Sequence, residues 1–544
     1  MSLCPLFEFA LQNGLLRFDT NFLNICQKVL YLLDCMNVDS LHKGKRIARN
    51  TMLLYVRMFV LMLVGLYTSR VVLNALGETD YGIYNVVGGV VAMFTMISGA
   101  LNSAVSRFIT FELGKGDQIR QNKVYCTSVN IQLILALIVV LIAEPAGLWF
   151  IGNKMTIDPS RIQSATWVLH FSLLAFVVNL MSIPQMASIT AHEKMSAYAY
   201  IGMMDGLLRL GVAFMIVRSP IDRLVYYAIL MAVVVLVVRI TYGIYCRIHF
   251  PECRYRFIFD GPLVKEMFSF AGWNFVGVTS GVLRDHGGNI LVNLFSGPVV
   301  NAARGVAVQL NGAVQSFVTN FMTAVNPQIT KSYAAGDTQY VFSLIRKSSR
   351  MSFYLLSLLA IPIIFNTDFL LGIWLKEVPE HTSLFVQLFL LFAMSEALSN
   401  PLITAMLATG RIRNYQLVVG GIQLLNIPLS YIFLKMGAKP EITVVVALML
   451  SQVCLFARLI MFSRASGFPV PEFVREVYVN ALKVGITASA VPLVLMFALP
   501  QGIWWSVLNL AASLLSAAVI VLFVGCSEAD RQFIREFIGR RNRQ

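Results

Sequence analysis

Two arginines, Arg284 and Arg304, stand in segments whose other residues are mostly apolar. Asp285 follows the first of them directly, and the pair Gly287-Gly288 comes soon after. A guanidinium group binds phosphate oxygens through two parallel hydrogen bonds. An arginine in the apolar core of a membrane costs roughly 2.5–3.5 kcal/mol, so such a residue faces water, protein or a ligand. The two positions predict a site for an anionic, phosphate-bearing ligand.

The glycine pair predicts a break in the helix that carries Arg284. Glycine destabilises helix interiors, and broken helices in transporters line binding cavities. We expect a bend at Gly287-Gly288, with Arg284 facing the ligand and Asp285 either paired or binding a coupling cation. The alternative is a kinked helix in which an Arg284–Asp285 ion pair stabilises the fold.

Amide side chains accompany Arg304 on one helix face. At about 100° per residue, Asn301, Asn311 and Gln315 share a broad face with this arginine. Amides suit sugar hydroxyl groups because they both donate and accept hydrogen bonds. The pattern favours a cavity lining over a surface that only packs helices together.

Three other arginines, Arg57, Arg70 and Arg209, are further candidates for substrate contact. Arg70, near the outer end of its predicted span, has the alternative of extending to the membrane surface. Arg209 has the alternative of pairing with Asp205, one helical turn earlier. Arg458, near the cytoplasmic end of its span, is expected to extend to the surface as well.

The composition indicates a membrane protein that crosses the bilayer many times. Of 544 residues, 57% are hydrophobic and 13% are charged, whereas soluble domains carry about a quarter charged residues. The eight cysteines show no metal-ligand spacing, and no phosphate-binding GxxxxGK[ST] motif occurs. We therefore expect no metal, no cofactor and no direct use of ATP. The net charge of +15 is assigned to cytoplasmic loops near anionic membrane lipids, with no nucleic acid as partner.

Apolar stretches of about 20 residues predict fourteen transmembrane spans. Most lysines and arginines fall in loops on one side, among them the segment RFITFELGKGDQIRQNK, which places both termini in the cytoplasm. The predicted limits are 50–75, 83–107, 127–151, 163–184, 197–217, 222–246, 267–295, 299–326, 351–373, 383–406, 414–436, 441–463, 479–499 and 503–525.

The two halves of the chain share a repeated pattern. The run IPQMASITAHEKMSAY at 183–198 matches NPLITAMLATGRIRNY at 400–415, an offset of 217, and Gly116 matches Gly336 at an offset of 220. Each repeat has six spans, an even number, so both copies enter the membrane in the same direction. The sequence thus predicts an all-α polytopic membrane protein of about fourteen helices, with two parallel six-helix repeats plus two C-terminal helices.

The predicted organisation has six parts. They are an N-terminal extension at 1–42, cytoplasmic or at the membrane surface; an N-lobe at 43–248; a cytoplasmic linker at 249–266; a C-lobe at 267–464; two further spans at 465–526; and a basic cytoplasmic tail at 527–544.

The motifs LGETDYGIYN, ELGKGD and ATGRIRNY resemble patterns of the polysaccharide-repeat (O-antigen type) flippases. These flippases belong to the multidrug/oligosaccharidyl-lipid/polysaccharide exporter superfamily, and the resemblance covers about residues 43–525. It implies two lobes with alternating access that move an undecaprenyl-pyrophosphate-linked sugar unit to the outer leaflet of a bacterial inner membrane. It also implies that other polysaccharide-assembly proteins are partners.

Two rival functions stay open at this point. A cation-coupled multidrug antiporter of the same superfamily would use Asp205, Asp285 and Glu396 for ion coupling, but arginines outnumber these mid-membrane acids and favour an anionic substrate. A membrane enzyme of polysaccharide assembly is less favoured, because the outer loops are short and no nucleophile–base pattern occurs.

Overall fold

A computed structural model of the chain describes residues 43–92, 94–155, 157–375, 378–498, 502–528 and 531. The predicted extension at 1–42 and nearly all of the predicted tail at 527–544 lie outside these residues. The described part of the chain forms helices joined by short connections and contains no β-strand. The predicted all-α membrane fold is confirmed.

Kinks at two glycines divide the two longest helical segments, Lys43–Ala92 and Gly261–Ala334. Numbered with these divisions, the helices are α1 (43–76), α2 (78–92 continuing as Thr95–Lys115), α3 (Gln118–Asn153), α4 (Ile162–Ala191), α5 (Met195–Ile216), α6 (Arg223–His249), α7 (261–296), α8 (298–334), α9 (Thr338–Phe365), α10 (Thr382–Thr409), α11 (Arg413–Lys435), α12 (Ile442–Ser466), α13 (Val470–Ala498) and α14 (Ile503–Gly525). A short helix, Thr367–Trp374, follows α9.

Twelve segments of the described chain are long and apolar enough to cross a membrane. That number counts α7 and α8 as one segment and leaves out α2. With the divisions at the two kinks, the described residues contain fourteen long helices, and each predicted span overlaps one of them.

The two kinks occur at equivalent positions of the repeats. Gly77 has φ 79° and ψ 168°, and Gly297, at an offset of 220, has φ 80° and ψ 179°. Only glycine adopts this backbone conformation without strain. At Gly297 the chain folds back, since Arg304 Nη2 donates to the carbonyl oxygen of Asp285 at 3.3 Å. In a straight helix these residues would be about 28 Å apart.

The predicted break at Gly287-Gly288 is wrong, because α7 runs through both glycines without interruption. The two glycines instead allow close packing. A Cβ on Gly287 would lie 2.8 Å from Ile427 Cδ1, and one on Gly288 would lie 2.7 Å from Arg304 Nη2. The sequence therefore indicated a special position correctly, but packing rather than backbone bending explains it.

The predicted limits of the ninth span, 351–373, begin too late. Helix α9 begins at Thr338, where the Asp337 side chain accepts a backbone hydrogen bond in the first turn. Its first half carries Arg346, Lys347 and Arg350. Arg346 Nη1 lies 2.7 Å from Glu472 Oε2 in the first turn of α13. Hydropathy detects only the apolar part of such a helix, so it misses the polar turns that extend beyond the bilayer.

The outer surface of the bundle is apolar, as contact with lipid requires. On α3, Leu133, Leu137 and Leu141 recur once per turn and are 58%, 62% and 65% exposed. A continuous apolar surface of this kind is unfavourable in water and stable against hydrocarbon.

The linker meets the ends of several helices on one face of the bundle. Asn122 Nδ2 donates to the backbone oxygen of Glu252 at 2.7 Å, and His192 Nε2 lies 2.5 Å from a Glu252 carboxylate oxygen. The neighbouring Glu193 contacts Lys331 of α8. This face, formed by the linker and the ends of α2, α4, α8 and α10, is called the linker face below.

Candidate functional site

A cavity of about 260 Å³ lies between helices of the first repeat and helices of the second. Its walls come from α2, α4 and α5 on one side and from α8 and α10 on the other, in the halves of these helices nearest the linker face. We call it the inter-lobe cavity. It is lined by Asn102, Ser103, Ser106, Arg107, Thr110, Met186, Ala187, Thr190, Tyr198, Thr323, Asn326, Pro327, Thr330, Thr404 and Leu407.

Hydroxyl and amide groups dominate the lining of the inter-lobe cavity. On α2, Asn102, Ser106 and Thr110 recur every four residues, so they share one helix face. Thr404 Oγ1 donates to Asn326 Oδ1 at 2.8 Å, which joins α10 to α8 across the wall. The buried Asn102 Oδ1 accepts no hydrogen bond from the described residues. This oxygen is available to a donor on a ligand, such as a sugar hydroxyl.

Arg107 is the one charged residue among those that line the inter-lobe cavity. It is 9% exposed, and its guanidinium group packs over the rings of Phe108 and Phe111 at 4.6 and 4.4 Å. Nη2 donates to the carbonyl oxygen of Ala408 at 3.2 Å, whereas Nε has no partner in the described part of the chain. The arrangement leaves a buried cation at the end of a polar cavity.

Arg107 was not predicted as a site residue, because the predicted span ended there and the following residues were assigned to a cytoplasmic loop. Helix α2 in fact continues to Lys115. The available signal was the apolar periodicity of RFITFEL, in which Phe108, Ile109 and Phe111 extend the helix pattern beyond the charged residue.

The predicted pair Arg284 and Arg304 lies outside the inter-lobe cavity lining, within the second repeat. Arg284 Nε is 2.8 Å from Asp285 Oδ1, and its guanidinium group lies 4.8 Å from the Phe392 ring centre. Arg304 is 4% exposed and donates to the carbonyl oxygen of Asp285 and to the Asn289 side chain. Arg304 thus joins α8 to α7, whereas Arg284 packs against α10. Contact of either arginine with a ligand stays a prediction.

Glu396 joins this polar region of the second repeat. Its Oε1 lies 3.7 Å from Arg458 Nη1, and the Tyr415 phenol is a second neighbour of Arg458. Arg458 is 2% exposed, so the expectation that it extends to the membrane surface is wrong. A neighbouring carboxylate and phenol make its burial possible, because a buried charge needs partners.

The predicted amides of α8 are all half-buried. The buried oxygens Asn301 Oδ1 and Asn311 Oδ1 find no hydrogen-bond partner among the described residues. Unpaired buried amide oxygens are rare in folded proteins and mark positions where a ligand or water donates. Together with Gln315, these residues stay candidates for substrate contact.

The three remaining predicted arginines differ in their surroundings. Arg57 packs over the ring of Tyr198 at 4.4 Å, and Tyr198 lines the inter-lobe cavity. Arg209 Nε is 2.9 Å from Asp205 Oδ1, the i,i+4 ion pair named as its alternative. Arg70 is exposed. Of the three, only Arg57 lies beside the inter-lobe cavity.

Solved structures show the same fold. The chain aligns with a MATE protein in complex with MaD3S at a TM-score of 0.67 and 13% identity, covering 78% of this chain and 97% of the other. It also aligns with a multidrug resistance MATE family transporter of the MOP superfamily in an outward-facing conformation. The TM-score is 0.68 and the sequence identity 12%, and the alignment covers 78% of this chain and 96% of the other. A third structure is a MOP superfamily transporter from Pyrococcus furiosus, described by a reversed polarity of its binding pocket. It aligns with a TM-score of 0.65 and 13% sequence identity, and the alignment covers 78% of this chain and 96% of the other.

Curated proteins give no significant match to the chain. The family model described as polysaccharide biosynthesis protein matches residues 47–333, which is more than half of the chain. The match spans α1 to α8 and therefore includes most of the inter-lobe cavity. This protein, a multi-pass membrane protein with a transporter fold, belongs to the polysaccharide biosynthesis protein family.

Proposed function

We propose that this protein is a flippase that moves a polyprenyl-pyrophosphate-linked oligosaccharide across a bacterial cytoplasmic membrane by alternating access. The product would serve cell-surface polysaccharide biosynthesis. Both termini would lie in the cytoplasm, and the linker face would be the cytoplasmic face. The family and the transporter fold support this proposal.

One observation carries the proposal: the composition of the inter-lobe cavity. Nine of its lining side chains are hydroxyl or amide groups from serine, threonine or asparagine, and none is a carboxylate. Such groups match the hydroxyls of a sugar. Arg107 supplies a positive charge at the same cavity, and an arginine fork matches the oxygens of a pyrophosphate. A cavity for a cationic drug would need acidic groups instead.

The other candidate residues take secondary roles in this proposal. Arg57 contacts the pyrophosphate together with Arg107, and Arg284 and Arg304 contact the substrate after it has moved toward the opposite face. Glu396 is the best candidate for ion coupling, because its contact with arginine is the longest of the three acids. Its Oε1 lies 3.7 Å from Arg458 Nη1 and accepts no hydrogen bond within the described residues. Asp205 and Asp285 lie 2.9 and 2.8 Å from their arginine partners.

The proposal is tested in a strain that lacks the gene. Surface polysaccharide should disappear in this strain and return with the wild-type protein. Asn102→Ala should reduce the restored amount, because it removes a hydrogen-bonding group from the cavity. The matched control is Asn153→Ala, the last residue of α3, which does not line the inter-lobe cavity. Full polysaccharide in the deletion strain would refute the proposed function.

A multidrug antiporter is the second candidate, because one structural neighbour is a multidrug resistance transporter. Under this alternative, loss of the protein would increase sensitivity to cationic drugs while surface polysaccharide stayed normal. The Glu396→Gln variant would then lose drug resistance, whereas the Arg107→Gln variant would keep it. The flippase function instead predicts that the deletion strain loses surface polysaccharide while its drug sensitivity stays normal, and that the Arg107→Gln variant fails to restore the polysaccharide.

A further inference from the structure

A second cavity, of about 770 Å³, lies at the linker face beside the first turns of α7 and α11. Three cationic side chains line it, those of Lys265, Arg411 and Arg413, together with the carboxylate of Glu266 and the ring of Trp273. We call it the linker-face pocket. It is separate from the inter-lobe cavity, and the proposed function does not use it.

The cations of the linker-face pocket lack anionic partners. Within the described residues, no carboxylate lies at ion-pair distance from Lys265, Arg411 or Arg413. The guanidinium group of Arg413 lies 5.2 Å from the ring centre of Trp273. Three like charges around one cavity produce a positive potential that a single carboxylate only partly offsets. The pocket therefore attracts anions.

The first repeat has a region equivalent to the linker-face pocket, and there a carboxylate of the protein supplies the negative charge. Glu193 is equivalent to Gly410 at the offset of 217, and both have a left-handed backbone, with φ 57° and 76°. Arg46 is equivalent to Lys265 at an offset of 219. In the first repeat, the Glu193 carboxylate lies 2.8 Å from Arg46 Nε and 3.1 Å from Lys331 Nζ. Its negative charge neutralises the cations around it.

The second repeat has cationic side chains in this region but no carboxylate at the position equivalent to Glu193, because Gly410 has no side chain. A Cβ at this position would lie 2.6 Å from Arg107 Nη2, so Gly410 separates the pocket from the buried guanidinium group. Arg107 is 9% exposed, and its Nε has no partner in the described part of the chain. Arg107 thus adds a further positive charge behind the pocket wall, with no carboxylate of the described residues at ion-pair distance.

We propose that the linker-face pocket binds a phosphate-bearing anion, which occupies the place that the Glu193 carboxylate holds in the first repeat. The guanidinium groups of Arg411 and Arg413 and the ammonium group of Lys265 match phosphate oxygens. The ring of Trp273 provides an apolar surface for the part of the ligand that is attached to the phosphate. The phosphate has two possible sources: the pyrophosphate of the lipid-linked substrate, or the phosphodiester headgroup of an anionic membrane lipid. The first source rests on the proposed flippase function, and the second does not.

Calorimetric titration of the purified full-length protein in detergent, at low ionic strength, tests this site. The probes are inorganic pyrophosphate, farnesyl pyrophosphate and dihexanoyl phosphatidylglycerol. We expect saturable binding that Lys265→Gln and Arg413→Gln each weaken about tenfold, since each removes a charge-assisted contact. Lys439→Gln, which removes an exposed charge between α11 and α12, should leave binding unchanged.

Gly410→Glu introduces the carboxylate that the first repeat already has, and Glu193 shows that glutamate tolerates this backbone conformation in the first repeat. A Cβ at this position would lie 2.6 Å from Arg107 Nη2, so the new carboxylate would also reach Arg107 of the inter-lobe cavity. The variant should weaken binding of the probe. The two charge-removing variants, which leave Arg107 in place, decide the question.

The outcomes distinguish the lipid-linked substrate from a membrane lipid as the source of the phosphate. They also test the anion-binding pocket separately from the flippase function. Preferential binding of the pyrophosphate probes would support the substrate as the source, and equal or tighter binding of phosphatidylglycerol would support a membrane lipid. Absence of saturable binding would refute anion binding at the linker-face pocket. Equal effects of Arg413→Gln and Lys439→Gln on the affinity for the probes would refute it as well. Because no step of the titration requires transport, a protein that binds these probes but restores no polysaccharide would refute the flippase function alone.

Discussion

The carboxylate of Glu193, in the first repeat, lies 3.1 Å from the ammonium group of Lys331, in the second. Gln328 Nε2 donates to the same carboxylate at 3.0 Å, and the Glu193 side chain is only 3% exposed. Beside this contact, a Cβ on Gly114 would lie 2.9 Å from the Ala334 Cβ, so α2 and α8 touch closely. We expect the inter-lobe cavity to open toward the linker face when these contacts separate.

Glu193→Gln should therefore favour opening at the linker face. The substitution removes a buried charge that holds Lys331 and Arg46, which shifts the balance between closed and open forms by about tenfold. The measurement is the rate at which a charged thiol reagent modifies Thr330→Cys, inside the inter-lobe cavity, in a cysteine-free background.

The control for this experiment is Glu144→Gln, which removes a half-exposed pair with His170 in the first repeat. It should leave the labelling rate unchanged. Equal labelling rates in the Glu193→Gln variant and the unmodified protein would mean that this contact does not hold the linker face closed.

Arg107→Gln should reduce transport at least tenfold without reducing the amount of protein in the membrane. The variant keeps a polar side chain but loses the charge and the fork that match a pyrophosphate. Arg107→Lys should restore part of the activity, because an ammonium group keeps the charge only. Transport and abundance are measured together, with Lys123→Gln as a charge-matched control on α3. Normal transport in the Arg107→Gln variant would contradict the assignment.

Arg304→Ala should lower thermal stability, because this side chain connects the two arms of the α7–α8 hairpin. The loss is about 1.5–3 kcal/mol, the usual contribution of a hydrogen bond to a charged group. Arg284→Ala should have a smaller effect, since its partner Asp285 is 60% exposed and such pairs contribute little. Thermal unfolding followed by gel filtration measures both. A stable Arg304→Ala variant with impaired transport would instead support direct substrate contact.

The contact between His192 and Glu252 should make the linker sensitive to acid. Burial raises the pKa of the Glu252 carboxyl. The hydrogen bond from His192, a backbone hydrogen bond and the charge of His192 lower it by more, so the pKa lies below its ordinary value of 4.5. Folding therefore favours the ionised carboxylate. The stabilisation is complete above the ordinary pKa and is lost as the pH falls through the lower value of the folded state.

Thermal unfolding of the wild type and of Glu252→Gln, measured from pH 3 to pH 7, tests this prediction. The wild type should be more stable at neutral pH, and the difference should vanish at the acidic end. Glu144→Gln serves as the control for loss of a carboxylate elsewhere. A difference that stays constant across the whole range would show that ionisation of Glu252 does not contribute.

The helices, their number and the duplication could all be predicted from the amino-acid sequence. These properties depend on short stretches of chain: an apolar stretch of about 20 residues spans a bilayer wherever it occurs. Equivalent motifs lead to equivalent local structure, as the left-handed glycines Gly116 and Gly336 show with φ 79° and 78°. The presence of unusual residues at Arg284 and Gly287-Gly288 was also visible without any structure.

The surroundings of each polar side chain depend on how the helices pack and could not be predicted from the sequence. Arg107 is held by the carbonyl oxygen of Ala408, 301 residues away, and Arg458 by Glu396 on another helix. The break expected at Gly287-Gly288 is replaced by close packing against Ile427. A charged residue in an apolar helix must find a partner, but the partner lies on a helix that packs beside it rather than near it in sequence, and the pattern of one helix does not identify that neighbour.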